Sequence, residues 1–99
     1  MDERERRARE IQEGIRRVLL QEWDPVGVAD IPQAQDEYDS YVGGVYRLLA
    51  SEASAAEIAE HLYQIEVQSM GYDERATAPA DLLPVAEKLL RLDVRLRRF

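Results

Sequence analysis

The chain has 99 residues, no cysteine, 45% hydrophobic residues and a formal net charge of −7. This length supports one hydrophobic core, so we expect a single helical domain over residues 1–99. The lack of cysteine excludes disulfides, thiolate metal sites and a cysteine nucleophile. No stretch resembles a secretion signal or a bilayer-spanning segment, and the expected location is therefore the cytoplasm.

Charge is distributed unevenly along the chain. Residues 1–22 carry six acids and six arginines, whereas residues 23–74 carry eleven acids and one base, giving −10. Residues 75–99 carry three acids and six bases. The middle stretch, called the acidic segment (residues 23–74) below, would repel a phosphate backbone and argues against a nucleic-acid partner. A basic protein partner fits this charge, and solubility alone is the alternative.

The first predicted helix runs from about Glu3 to Glu22. Apolar residues recur in it at steps of three and four, at Ala8, Ile11, Ile15, Val18 and Leu19. Its first two turns are expected to be a solvated face. Pro25 ends the helix, and since a residue before proline is disfavoured in the α region, Asp24 is predicted to be extended.

The second predicted helix covers roughly Asp36 to Ala50. Asp36 would cap it, and Asp39 would oppose the positive end of its dipole. Gly43 and Gly44 each cost a helix interior roughly 1 kcal/mol relative to alanine. Close approach of another helix or of the Trp23 ring would explain them, and a kink is the alternative.

The third predicted helix has the clearest start. Ser54 and Glu57 form a capping-box pattern, in which each side chain bonds the other residue's amide. Gly71 is placed to end the helix in a left-handed conformation.

The fourth predicted helix runs from about Asp81 or Leu82 to Arg97. Besides its main apolar stripe it has a second one, at Leu83, Leu90 and Val94, which would be either core or a face for self-association. Four amphipathic helices without a strand pattern predict an all-α fold, a small four-helix antiparallel bundle.

Few residues point to chemistry. Asp24, Asp36 and Asp39, with Asp30, form a hypothetical calcium or magnesium site, but the spacing of a calcium loop is absent. His61 is expected at the surface, and no nucleophile motif accompanies it. We therefore predict no catalytic residue, metal or cofactor.

Trp23 is the only tryptophan. It would either plug the end of the bundle or act as an exposed aromatic anchor for a partner. The predicted partner-binding residues are Trp23, Asp24, Asp36, Glu37, Asp39 and Tyr41.

The elements E-W-D-P-V-G-V, D-E-Y-D-S-Y-V and the closing M-G-Y are together similar to a family of small uncharacterised bacterial helical proteins, which have W-D-P-x-G and D-E-Y-D elements. The resemblance covers Glu22 to Tyr72. It implies that the W-D-P and D-E-Y-D elements meet in space, and it implies no activity.

These observations favour a non-enzymatic, acidic protein-binding module. An immunity or antitoxin protein that masks a basic nuclease is one concrete form. The alternative is a homodimeric structural or adaptor bundle that associates through its C-terminal helix.

Overall fold

The computed structural model describes residues 2–95. Within them the chain forms four α-helices: α1 (Glu3–Val18), α2 (Asp39–Ala50), α3 (Ala55–Gln64) and α4 (Leu83–Leu90). Two of these helices continue into a single π-helical turn, α1 into Leu19–Trp23 and α3 into Ile65–Ser69. Short 3₁₀ turns lie at Pro32–Ala34 and Pro79–Leu82. The predicted all-α, four-helix fold is confirmed.

The helices pack around one apolar cluster. α3 packs against α4 and the 3₁₀ turn before it, while α1 packs against α2 and α4. Every helix contributes to this cluster, whose largest fully buried side chains are Tyr38, Ile15, Leu19, Ile58, Leu62, Leu89 and Val45.

The start of α3 and the end of the π-helical turn that continues it follow the sequence prediction. Ser54 Oγ accepts a hydrogen bond from the Glu57 amide at 3.1 Å, and Glu57 Oε1 accepts one from the Ser54 amide at 3.2 Å. Gly71 has a φ of 73°, and the next amide, that of Tyr72, donates to the Glu66 carbonyl at 2.9 Å. The capping box and the left-handed glycine are therefore confirmed.

The predicted start of the second helix is wrong by three residues. α2 begins at Asp39, and Tyr38 precedes it without any side-chain cap. Asp36 instead lies in a run of turns, where its carbonyl accepts a hydrogen bond from the Asp39 amide. The reason is that the Tyr38 phenol is bound into the preceding loop, which holds this residue outside the helix.

The predicted end of the fourth helix is also wrong. α4 ends at Leu90 rather than at Arg97, which lies outside the described residues together with Leu96. Past the helix, the carbonyls of Asp93 and Arg95 accept hydrogen bonds from the Arg7 guanidinium. These interactions replace the helical ones and draw the chain across α1.

Arg7 also corrects the expectation that the first two turns of α1 are solvated. The residue is only 9% exposed, and its guanidinium bonds Glu10 and lies 3.6 Å from an Asp93 carboxylate oxygen. Its position four residues before the buried Ile11 is the signal that could have placed it on the inner face.

The predicted close approach at the glycine pair is confirmed for Gly44. A Cβ atom at Gly44 would lie 3.2 Å from Nε2 of His61, whereas a Cβ at Gly43 would meet nothing within 4 Å. His61 is thus half-buried against α2 rather than at the surface, and burial lowers its pKa.

We expect Gly43→Ala to raise the free energy of unfolding by about 1 kcal/mol, the usual gain in helix propensity. Gly44→Ala should gain clearly less, because its methyl group presses on the His61 ring. Urea denaturation of both variants tests this. With His61→Ala in the background, the two glycine substitutions should become similar, and a persistent difference would contradict the explanation.

Candidate functional site

The loop from Asp24 to Ile31 connects the first π-helical turn to the 3₁₀ turn. Asp24 has φ 33° and ψ 57°, so its backbone is left-handed and the prediction of an extended residue is wrong. Proline disfavours the right-handed α region for its predecessor. Here the residue adopts the left-handed region instead.

A single carboxylate holds this loop together. Asp24 accepts hydrogen bonds from the backbone amides of Gly27 (3.1 Å), Val28 (2.7 Å) and Ala29 (3.0 Å). The Tyr38 hydroxyl donates to the same carboxylate at 2.7 Å and accepts from the Val26 amide at 3.0 Å. These bonds offset the strain of a left-handed aspartate.

Trp23 packs beneath the loop. Its ring lies 5.3 Å from the Tyr38 ring and 6.1 Å from the Tyr41 ring, measured between centroids. Its indole Nε1 donates to Oε2 of Glu66 at 2.8 Å. The W-D-P and D-E-Y-D elements thus meet through Trp23, Asp24 and Tyr38.

Glu66 was missed by the sequence reasoning. It is only 6% exposed and lies in the π-helical turn that follows α3. The signal was available, because Glu66 falls four residues after Leu62 and seven after Ala59, on the buried side of the same helix. An acid at such a position predicts a buried donor opposite it, which here is the only tryptophan.

The predicted partner-binding residues divide into two groups. Trp23 is 8% exposed, so it is not available as an exposed aromatic anchor. The carboxylate of Asp24 accepts hydrogen bonds from the amides of its own loop. Tyr41 is half-buried against Trp23. The remaining predicted residues lie at the surface, where Asp36 and Glu37 are exposed and Asp39 is half-exposed.

Asp39 has a structural partner. Its two carboxylate oxygens accept hydrogen bonds from Nε and Nη2 of Arg16, at 2.7 and 2.8 Å. This bidentate pair joins α1 to the first turn of α2 and raises the pKa of Arg16.

The hypothetical metal site is not assembled. Asp24 and Asp39 hold different internal partners, and Asp30 and Asp36 are exposed. Within residues 2–95 no group of three or more His, Cys, Asp or Glu side chains is arranged to hold a metal ion.

The hypothetical dimer face is divided by the end of α4. Leu83 and Val94 pack against the core, and Val94 lies beyond the helix. Leu90 is 40% exposed. The three residues therefore do not form one continuous helical stripe.

A groove of about 450 Å³ lies along the surface between α1 and α2. Apolar atoms of Ala8, Ile11, Val42 and Tyr46 line it, together with the Arg16–Asp39 pair. Since the charges in its wall neutralise each other, the groove offers mainly apolar surface.

Most carboxylates of the acidic segment face solvent. The exposed ones are Asp30, Asp36, Glu37, Glu52, Glu57, Glu60, Asp73 and Glu74. None of them forms an ion pair within the part of the chain that the structure describes. The bases of the ion pairs that do form there are Arg7, Arg16, Lys88 and Arg95, which lie outside this segment, and one of their partners, Asp39, lies within it.

Comparison of the chain with protein-family models, curated proteins and solved structures gives no match. The resemblance of the W-D-P and D-E-Y-D elements to a bacterial family stays a prediction. No helix among residues 2–95 has the length and apolar character needed to cross a membrane.

The hydrogen bonds of Asp24 predict an acid-dependent stability. Burial raises the pKa of the Asp24 carboxyl group, but hydrogen bonds from Tyr38 and the loop amides outweigh it and lower the pKa below the ordinary 3.8. A lowered folded-state pKa gives stability that is complete above the unfolded-state value and is lost as pH falls through the folded-state value. The parent protein should therefore have a higher free energy of unfolding than Asp24→Asn at neutral pH, and this difference should shrink below about pH 4.

Urea denaturation of both proteins between neutral and acidic pH measures this difference. Taking the difference in free energy of unfolding between parent and variant cancels the contribution of other acids. One of these is Asp93, whose pKa is also lowered, chiefly by hydrogen bonds from Arg95. A difference that stays constant down to the lowest pH would contradict the assigned role of Asp24.

Proposed function

We propose that this protein is a non-enzymatic binding module for a basic protein. The observation that carries the proposal is the set of exposed carboxylates in the acidic segment that have no base partner within residues 2–95. Unpaired surface carboxylates of one sign attract a basic partner over distances of about a Debye length, roughly 8 Å at physiological salt.

The fold supports this role by keeping the acids in place. The acidic segment spans α2, α3 and the Asp24 loop, and three of its members, Asp24, Asp39 and Glu66, are used for internal hydrogen bonds. The exposed members are therefore carried on ordered elements, which lowers the entropy lost when a partner binds. Masking of a basic nuclease, as an immunity or antitoxin protein does, is one form of this function.

The experiment is a pull-down with the tagged full-length chain at low salt, about 20 mM, followed by elution at about 0.5 M. We expect one basic protein, retained in near-stoichiometric amount and released by salt. Purified partner and protein then give the association rate constant, which should fall steeply as salt rises.

A matched pair of variants separates the acidic segment from total charge. Asp36→Asn with Glu37→Gln removes two exposed charges from the segment, and Glu3→Gln with Glu87→Gln removes two from α1 and α4. The first variant should slow association at low salt more than the second. Equal effects, or a partner that resists high salt, would reject binding steered by the acidic segment.

A further inference from the structure

The segment after Gly71 joins the end of α3 to the Asp24 loop across the surface. The Tyr72 hydroxyl donates to the Pro25 carbonyl at 3.0 Å, which places Tyr72 beside Val26. Two residues later, the Glu74 carbonyl accepts a hydrogen bond from the Tyr63 hydroxyl at 2.7 Å. These hydrogen bonds connect a strip of surface residues, called the strip below, which consists of Val26, Tyr72, Asp73, Glu74 and Tyr63.

The strip combines apolar exposure with negative charge. Val26 is 45% exposed and Tyr72 is 38% exposed, and both belong to the few large apolar residues at the surface of the described chain. Asp73 and Glu74 follow directly, and Glu60 lies one turn before Tyr63 on α3. Desolvation raises the pKa of Tyr63, and the negative charges of Glu74, Glu60 and Asp73 raise it further, consistent with these acids lying around its hydroxyl.

The strip is also held in one conformation. The Val26 amide is bound by the Tyr38 hydroxyl, whose ring is fully buried, and the Tyr72 amide is bound by the Glu66 carbonyl. The neighbouring base, Arg75, forms no ion pair with these acids within residues 2–95. Apolar surface that lies beside unpaired carboxylates suits a ligand in which an apolar residue stands next to basic ones.

We infer that the strip, together with Glu60 beside it, docks a basic peptide segment in which an aromatic or aliphatic residue stands next to lysines or arginines. The inference rests on the proposed function and specifies where the basic partner binds and which residues it presents. The apolar side chain packs on Val26 and the Tyr72 ring, and the neighbouring cations face the three acids.

The test uses the full-length chain and two capped peptides, Lys-Lys-Phe-Lys-Lys and Lys-Lys-Gly-Lys-Lys, at about 20 mM salt. Amide chemical shifts followed by nuclear magnetic resonance report both affinity and place. The phenylalanine peptide should bind about five- to tenfold more tightly, as expected for one anchor on an exposed apolar pair. Its largest shifts should fall at residues 25–27 and 72–75.

The control variants isolate the apolar pair. Val26→Ser with Tyr72→Ser should remove the preference for phenylalanine and leave binding of the glycine peptide unchanged. Leu90→Ser, which changes an equally exposed residue on α4, should keep the preference. Tyr72→Phe should keep it as well, because the ring remains, and Trp23 fluorescence verifies that each variant is folded.

The outcomes distinguish the two proposals. Equal, salt-sensitive binding of both peptides would overturn the docking strip and leave the charge-based function standing. Retention of the preference in the double serine variant, or its loss in Leu90→Ser, would also overturn the strip. Absence of binding by either peptide at low salt would overturn the strip and count against the proposed function.

Discussion

Replacement of Asp24 by alanine should lower the free energy of unfolding by about 3 kcal/mol, because one carboxylate accepts three amide hydrogen bonds and one from Tyr38. The loss also leaves a left-handed residue without the bonds that favour it. Urea denaturation followed by far-ultraviolet circular dichroism measures the change.

Three comparisons make this result specific. Asp36→Ala removes an exposed acid of the same loop region and should change stability by less than about 0.5 kcal/mol. Asp24→Asn keeps two acceptor sites at most and should lie between the parent and the alanine variant. In a Tyr38→Phe background, Asp24→Ala should cost less, since one of its partners is already gone. An equal cost for Asp24→Ala and Asp36→Ala would contradict the account of the loop.

Glu66→Leu should be the second most damaging change, at about 2–3 kcal/mol. The substitution removes the acceptor of the Trp23 indole N–H, which is then buried without a partner. Thermal unfolding followed by Trp23 fluorescence measures stability and the surroundings of the indole in one experiment, because the chain has no other tryptophan.

The matched variants are Glu66→Gln and a double change. Glutamine keeps an acceptor oxygen and should cost about 1 kcal/mol or less. Combining Glu66→Leu with Trp23→Phe removes donor and acceptor together, so the pair should be less damaging than the sum of the single changes. Circular dichroism replaces fluorescence for that variant. Additive effects would show that the hydrogen bond contributes nothing.

Helix existence and the α3 caps were predictable because they depend on local chemistry. The periodic apolar residues, the Ser54–Glu57 pair and Gly71 act within one or two turns of chain. Gly44 could be read as a point of close approach because a glycine inside a helix has a cost that such contact explains, although its neighbour, His61, was not identified.

The errors arise where distant parts of the chain compete with local preference. α2 begins late because Tyr38 is bonded to Asp24, fourteen residues earlier, and α4 ends early because Arg7 binds carbonyls past its end. Pattern analysis also treats an acid or an arginine on an inner face as an interruption. Glu66 and Arg7 show that such residues can instead be buried with a partner.

For the candidate site, the W-D-P and D-E-Y-D elements do meet, as the resemblance implied, but the side chains that join them make their contacts inside the fold. Trp23 and Asp24 stabilise the loop, and the surface that remains is formed by neighbours such as Val26 and Tyr72. No sequence pattern placed Tyr72 at this surface. Its place beside Val26 depends on a hydrogen bond between residues 47 positions apart, which no local pattern contains.

The Arg7 guanidinium donates hydrogen bonds to the carbonyls of Asp93 and Arg95. These two residues lie 86 and 88 positions further along the chain. Bringing such distant groups together costs more chain entropy than any of the short loops between adjacent helices. These bonds therefore become favourable only after the helices have already brought Arg7 close to residues 93–95. We therefore expect loss of the Arg7 hydrogen bonds to speed unfolding more than it slows folding.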